Sequence, residues 1–389
     1  MPLLLAFLMR RAVLGCAALV VLGACVADPG AQSRDLFGGE PRRTPRALGV
    51  PLGLLAPGPE NAITDVAGVR VGHCSLRNPP TVNTGVTVIV PHGGNLFREK
   101  VPGAIAVMNG FGKLSGVTQV RELGTIETPI GLTSTLSVGT VTEALARWTL
   151  RQSGNSRVRS VNAVVGETND GFLHDIRHPH IQPIHVEEAL VNARGGVVPQ
   201  GTVGAGCGTS AFGWKGGIGT SSRRLGHRLG GFTVGVLVQA NFGGVLTVAG
   251  IPVGRELQTM PYGLPAPAST DGSCMIVVAT DAPLDARQLE RVARRTFLGL
   301  ARTGSWASHG SGDYAVAFST AVAMRNGRGK PLADEGLSPL FLAAVEATEE
   351  AVLNAIFLAT AVEGHRGHRG ALPIDRVLAI LRRHSVVTR

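Results

Sequence analysis

The sequence predicts a layered α/β domain. Continuous apolar runs at residues 85–90 and 232–239 are typical of short buried strands. Residues 285–302 and 338–361 carry apolar residues at helical spacing, with an aspartate in the first turn of one segment and a proline at the start of the other. Buried strands alternating with long helices pack as sheets covered by helices. No repeat period or composition boundary follows residue 57, so we expect one domain over residues 57–389.

Other elements follow the same two patterns along the chain. Short apolar runs predict strands at 104–108, 162–165, 273–280 and 314–320, and helical spacing predicts helices at 142–151 and 186–192. Residues 201–222 are rich in glycine but lack the order of a phosphate-binding loop, since Lys215 precedes the glycines. Close backbone packing is the better interpretation of that segment.

Composition excludes a nucleic-acid partner. The 44% of hydrophobic residues is ample for a core, and the net charge of +10 includes several arginines before residue 47. No nucleic-acid-binding signature is present, and the glycine-rich stretches are not interleaved with aromatic residues.

The N-terminus has the pattern of an export signal. Arg10 and Arg11 precede an apolar run, and Leu22-Gly-Ala-Cys25 resembles a bacterial lipobox, in which Cys25 becomes the lipidated first residue. We therefore expect a signal peptide over 1–25, a flexible tether over 26–56 and a periplasmic protein anchored by lipid to the outer membrane. An ordinary cleaved signal peptide with an incidental cysteine is the alternative.

The remaining cysteines and the histidine-rich loop do not predict a metal or cofactor. Three cysteines without metal spacing, Cys74, Cys207 and Cys274, favour buried free thiols. Four potential ligands lie on one loop interrupted by prolines: Asp175, His178, His180 and His185. Their spacing is not that of a zinc site, so we expect a solvated loop, no metal and no cofactor.

The most informative stretch is Asp271-Gly272-Ser273, where a polar loop enters a buried strand. If the bond before Ser273 were cut, that residue would carry a hydroxyl and a free α-amine, the equipment of an N-terminal nucleophile. An ordinary turn is the competing interpretation. Adjacent side chains on a strand face opposite ways, so Cys274 is expected to pack in the core.

Seven segments, taken in order, carry a family resemblance. They begin at Asn61 (NAITDVAGVRVGH), Asn109 (NGFG), Glu167 (ETNDG), Lys215 (KGGIGTSS), Gln239 (QANFG), Asp271 (DGS) and Gly310 (GSGD). With these segments in this order, the chain resembles the DmpA-type aminopeptidases, which include L-aminopeptidase/D-esterases and β-peptidyl aminopeptidases. The resemblance implies a four-layer αββα sandwich similar to the N-terminal nucleophile hydrolases, with different connectivity. It also implies self-cleavage into 57–272 and 273–389, and homo-oligomers of the cleaved αβ pairs.

The resemblance also implies roles for individual residues. Ser273 corresponds to the nucleophile, with its freed α-amine as base, and Gly272 to the residue before the cut. Four more residues complete the implied site: Ser311 and Asp313 around the amine, Asn241 as oxyanion donor and Glu167 as the carboxylate for the substrate ammonium. Asn169 stands where some relatives have a tyrosine that helps to bind the oxyanion.

These expectations lead to one favoured function and two alternatives. The favoured function is a self-processing serine aminopeptidase that acts through an acyl-enzyme on short peptides, amides or esters with a free N-terminal amine. A non-catalytic envelope lipoprotein on the same fold is one alternative. An acyltransferase of similar fold, which passes the acyl group to an amine, is the other.

Overall fold

The computed structural model describes residues 41–258 and 272–388. The predicted signal peptide, Cys25, most of the predicted tether and Asp271 therefore lie outside the described residues. Over the described ranges, no helix combines the length and apolar character needed to cross a bilayer.

The described chain contains strands and helices in mixed order. The strands are β1 (Arg70–Asn78), β2 (Val82–Val90), β3 (Val101–Gly110), β4 (Leu114–Ser115), β5 (Thr125–Ile126), β6 (Ile130–Ser134), β7 (Val164–Thr168), β8 (Ser210–Ala211), β9 (Trp214–Lys215), β10 (Gly217–Arg224), β11 (Thr233–Asn241), β12 (Ser273–Thr280), β13 (Gly312–Ser319), β14 (Val362–Gly364) and β15 (Gly367–Arg369). The helices are α1 (Val117–Leu123), α2 (Val138–Leu150), α3 (Pro183–Val191), α4 (Val253–Glu256), α5 (Ala286–Arg302), α6 (Ser338–Phe357) and α7 (Ile374–Arg383).

Two stacked sheets form the centre of the molecule. One has the strand order β1-β2-β6-β7-β4 and the other β10-β11-β12-β13-β3-β5. One apolar cluster lies between the sheets, a second lies between the six-stranded sheet and α5, α6 and α7, and a third lies between the five-stranded sheet and α2 and α3. Three apolar interfaces separate four layers, so the predicted αββα sandwich is confirmed.

Strand β12 shows how the sequence assigns its two faces. Met275 and Val277 belong to the cluster between the sheets, whereas Cys274 and Ile276 belong to the cluster under the helices. The expected core packing of Cys274 is therefore confirmed, and alternation places the Ser273 side chain on the face between the sheets.

The glycine-rich segment contains strand β10, which the sequence analysis did not predict. A Cβ atom on Gly219 would lie 1.9 Å from the Ala351 carbonyl oxygen of α6. Only glycine therefore allows the helix to approach the strand this closely, and the predicted close backbone packing is confirmed.

The described end of the predicted tether, residues 41–56, packs on the domain, and there the tether prediction is wrong. The Arg42 guanidinium donates to the Phe357 carbonyl at 2.7 Å, and Arg46 forms an ion pair with Glu350 at 2.6 Å. Leu52 is 3% exposed. Bonds to α6 thus extend the packed domain to residue 42, ahead of the expected boundary at 57.

The described cysteines differ from the expectation at one position. Cys207 and Cys274 are buried free thiols, as predicted. Cys74 is disulfide-bonded, so the expectation of a free thiol there is wrong.

Candidate active site

Ser273 occupies the first position of β12, in the middle of the six-stranded sheet. It lies opposite Asn241 at the end of antiparallel β11 and beside Gly312 at the start of parallel β13. Its side chain is buried, with 3% of the residue exposed. The sheet therefore brings the predicted segments that begin at Gln239, Asp271 and Gly310 together at one end of its central strands.

The Gly272–Ser273 peptide is held tightly at this end of the sheet. The Ser273 hydroxyl donates to the Gly272 carbonyl oxygen at 2.6 Å, and the Gly312 N–H donates to the same oxygen at 3.2 Å. A Cβ atom on Gly272 would lie 2.2 Å from the Asn241 carbonyl oxygen. The Gly272 carbonyl is thus polarised by two donors, and position 272 has room only for glycine.

The Asn241 amide is fixed at both ends. Its Oδ1 accepts from the Ser210 N–H at 2.9 Å, and its Nδ2 donates to the Asn169 carbonyl at 3.0 Å. A side-chain amide carries two N–H donors, so one remains for a ligand. Asn241 is thereby a preoriented donor on the same face as the Ser273 hydroxyl.

Ser311 and Asp313 lie on the other side of Ser273. Asp313 is fully buried and shares its face of β13 with Ala315, under the helices. Among the described residues, neither of its carboxylate oxygens nor the Ser311 hydroxyl makes a hydrogen bond. Burial raises the pKa of the Asp313 carboxyl to about 6, and the nearby Ser311 hydroxyl and Cys274 N–H lower it only in part. Within the described residues this carboxylate forms no ion pair, and it lies next to the start of β12.

Glu167 is the penultimate residue of β7 in the facing sheet and is 2% exposed. Its Oε1 accepts from the Lys113 N–H at 3.0 Å and lies 3.8 Å from the Lys113 ammonium, whereas Oε2 has no partner within the described chain. Burial raises the pKa of the Glu167 carboxyl, and Lys113 lowers it only in part. The free oxygen can accept from a cationic ligand.

The Asn169 side chain does not join the Asn241 amide. Its Oδ1 closes a turn by accepting from the Gly171 N–H at 3.0 Å, and only its backbone carbonyl contacts Asn241. Sequence reasoning missed Tyr314, whose hydroxyl and Glu167 Oε1 both lie against Gly112. A Cβ atom on Gly112 would be 3.1 Å from the Tyr314 hydroxyl oxygen and 3.0 Å from Glu167 Oε1. The position of Tyr314 directly after Ser311-Gly-Asp313 was an available signal.

A cavity of about 470 Å³ opens at Lys113, whose ammonium lies 3.8 Å from Glu167 Oε1. It is lined by Lys113, Leu114, Ser115, Thr135, Leu136, Val138 and Gly139. Lys113 was also missed, although it directly follows the predicted segment Asn109-Gly-Phe-Gly112; its ammonium donates to the Thr135 hydroxyl at 2.8 Å. The mixture of aliphatic and polar walls can receive a side chain next to a bound ammonium.

The side chains of the histidine-rich loop contact one another. His178 pairs with Asp175 at 2.7 Å, and its ring lies 5.9 Å from that of His180. Within residues 41–258 and 272–388, no three His, Cys, Asp or Glu side chains gather in a way that could hold a metal ion.

Comparison with known proteins gives concordant matches. The family model for peptidase family S58 matches residues 61–370. A β-peptidyl aminopeptidase, BapA, from Sphingosinicella microcystinivorans is 39% identical over 383 residues, covering 90% of this chain and 95% of that protein.

Two solved structures are also similar along most of their length. A Burkholderia sp. β-aminopeptidase is 41% identical, with a TM-score of 0.81, covering 89% of this chain and 100% of that one. An L-aminopeptidase D-Ala-esterase/amidase from Ochrobactrum anthropi is 35% identical, with a TM-score of 0.79, covering 89% and 99%; it is described as a prototype of the serine aminopeptidases and a variant of the Ntn hydrolase fold.

Proposed function

The chain belongs to peptidase family S58 and is an aminopeptidase, and from that premise we propose that it is a self-processing serine aminopeptidase with Ser273 as its nucleophile. The observation that carries the proposal is the placement of Ser273 at a strand start, between the preoriented amide of Asn241 and the Asp313 carboxylate. That carboxylate has no hydrogen-bond partner in the described chain. Such a nucleophile needs an oxyanion donor on one side and a base on the other.

Maturation is an intramolecular acyl shift. The Ser273 Oγ adds to the Gly272 carbonyl carbon, the bond from that carbon to the Ser273 nitrogen breaks, and the nitrogen takes up a proton to leave as an amine. Water then hydrolyses the ester, giving a Gly272 carboxylate and a free Ser273 hydroxyl. The Gly312 N–H, 3.2 Å from the Gly272 oxygen, supports the developing oxyanion.

The freed α-amine is the base of the mature enzyme. An α-amine has a pKa of roughly 8, and burial disfavours its charged form, so it can accept a proton near neutral pH. Asp313 and Ser311 flank the start of β12 and orient this amine from the helix side, while the Ser273 hydroxyl faces the gap between the sheets. The amine takes the hydroxyl proton as Oγ attacks and returns it to the departing amine of the substrate.

Glu167 selects substrates with a free N-terminal amine. A cationic ammonium entering the gap between the sheets must lose water, and a buried carboxylate with a free oxygen offsets that cost. The side chain of the first residue then enters the cavity lined by Leu114 and Leu136. Short peptides, amides and esters, including those of β-amino acids, are the substrates that these features accommodate.

We also propose export and a lipid anchor at Cys25, with the mature protein held at the outer membrane. The support is the sequence of residues 1–26 alone. Assembly into homo-oligomers of cleaved pairs rests only on the family resemblance.

The function is tested with p-nitroanilides of α- and β-amino acids, each supplied with a free and with an acetylated amine. We expect release of nitroaniline from the free-amine substrates, none from the acetylated ones and none by Ser273→Ala. Equal rates with acetylated substrates would contradict the role of Glu167. Inactivity of the wild-type protein towards all substrates would favour the non-catalytic alternative.

A further inference from the structure

Two buried charged residues, Lys215 and Asp170, lie close to Asn241 and have no role in the reaction above. Lys215 is fully buried and Asp170 is 2% exposed. Within the described chain, the Lys215 ammonium forms no ion pair and donates to backbone carbonyl groups. A charge buried without an ion pair is costly, so each must be held by a specific set of hydrogen bonds.

Lys215 ties down the loop that leads to Ser210. Its Nζ donates to the Gly206 carbonyl at 2.7 Å and to the Gly216 carbonyl at 2.8 Å. Lys215 also pairs directly with Ser210 across the β8–β9 hairpin. The ammonium therefore fixes residues 206 and 216, on either side of Ser210. The Ser210 N–H in turn donates to Asn241 Oδ1.

Asp170 holds the same loop and the second partner of Asn241. Its carboxylate accepts from the Ser134 hydroxyl at 2.7 Å and from the Thr84 hydroxyl at 2.8 Å, which anchors it to β6 and β2. It directly follows Asn169, whose carbonyl receives Asn241 Nδ2. A Cβ atom on Gly208 would lie 2.8 Å from the Asp170 Cβ, so the loop 206–210 packs directly on this side chain.

We propose that Lys215 and Asp170 are positioning residues that hold the Asn241 amide in the orientation needed by the oxyanion. Lys215 fixes the Ser210 N–H, which donates to Asn241 Oδ1. Asp170 fixes the Asn169 carbonyl, which accepts from Asn241 Nδ2. The inference rests on the proposed role of Asn241. Both residues act through Asn241, so their loss removes stabilisation of the transition state and leaves substrate binding by Glu167 intact.

The test is a pair of double-mutant cycles on the cleaved enzyme. Lys215→Met and Asp170→Asn, which preserve size, are measured alone and combined with Asn241→Ala, and each rate is divided by the cleaved fraction from intact mass. We expect kcat to fall by roughly 100-fold in each single variant, the effect of a donor misplaced by about 1 Å, with KM changed less than about threefold. In the Asn241→Ala background, the same substitutions should change kcat by less than about twofold.

Lys330→Met and Asp375→Asn are matched controls, since both residues are exposed and neither is among the contacts of Asn241, Lys215 or Asp170 described above. They should leave kcat and KM at the wild-type values. If Asp170→Asn fails to fold by circular dichroism, Thr84→Val replaces it, because it removes one donor to Asp170 without changing the side-chain shape. If Lys215→Met fails to fold, the cycle on Asp170 decides the test.

Two results would overturn the proposal. One is an unchanged kcat in Lys215→Met, Asp170→Asn and Thr84→Val. The other is a fall in kcat caused by Lys215→Met or Asp170→Asn that is as large in the Asn241→Ala background as in the wild-type enzyme. Failure of the proposed function looks different, because then the wild-type enzyme is inactive or Ser273→Ala retains its activity.

Discussion

The two sides of Ser273 differ in how completely their polar groups are paired. On the side between the sheets, the Asn241 amide has a partner at each end. On the helix side, the Asp313 carboxylate and the Ser311 hydroxyl have no hydrogen-bond partner in the described chain. The difference fits the proposed self-cleavage, in which the oxyanion side is already formed in the uncut chain and the helix side receives the Ser273 α-amine only after the cut.

The largest effect on the rate should come from removing the Asn241 amide. Asn241→Ala removes a preoriented donor, and one oxyanion donor is typically worth about 2.7–4 kcal/mol in the transition state. We expect kcat of the cleaved enzyme to fall by roughly 100- to 1,000-fold with KM little changed. Steady-state kinetics measures this, and a loss expressed mainly in KM would instead assign Asn241 to substrate binding.

The unpaired Asp313 carboxyl should make the free energy of unfolding of the uncut chain depend on pH. In uncleaved Ser273→Ala, the raised pKa of Asp313, about 6 against 3.8, means that the folded state holds the proton more tightly than the unfolded state. This contribution is fully present below about pH 4 and is lost as pH rises through about 6, an expected change of about 3 kcal/mol at most.

Adding Asp313→Asn to Ser273→Ala removes that pH dependence. Urea unfolding at pH 4 and pH 7 should therefore show a smaller loss of stability on raising the pH in the double variant than in Ser273→Ala alone. Identical pH dependence in both proteins would show that Asp313 already has a counter-charge before cleavage.

One carboxylate oxygen of Glu167 and both of Asp313 have no hydrogen-bond partner in the described chain, but the cation proposed for Glu167 is the substrate ammonium. Glu167→Gln replaces a charge-assisted hydrogen bond, worth roughly 1.5–3 kcal/mol, by a neutral one. The difference between the two bonds is about 1–1.5 kcal/mol, so we expect kcat/KM to fall by roughly 5- to 13-fold for substrates with a free amine. An equal fall for an ester that lacks the amine would argue that the substitution disturbs the site in general.

The smallest effect is expected at Asn169. Its side chain closes its own turn, so Asn169→Ala should lower kcat less than about fivefold, the cost of one ordinary hydrogen bond. It is also the matched control for Asn241→Ala. A loss as large as that of Asn241→Ala would place the Asn169 side chain in the oxyanion hole.

The same contrast shows what the sequence could predict. Strand β12 was predictable because its apolar run is continuous and its alternation separates Ser273 from Cys274. Strand β10 was not, since the glycines that let α6 approach it carry no side-chain pattern. The docking of residues 41–56 was also hidden, because Arg46 meets its partner Glu350 only in the folded chain. For the same reason the partners of Asn241, and with them Lys215 and Asp170, emerged only from the structure.

The most direct measurement is the intact mass, under denaturing conditions, of the purified wild-type protein and of Ser273→Ala. The account predicts two wild-type fragments, the second beginning at Ser273, and one uncut chain in the variant. A single uncut wild-type chain with full aminopeptidase activity would contradict it, because Ser273 would then have no free α-amine to act as base.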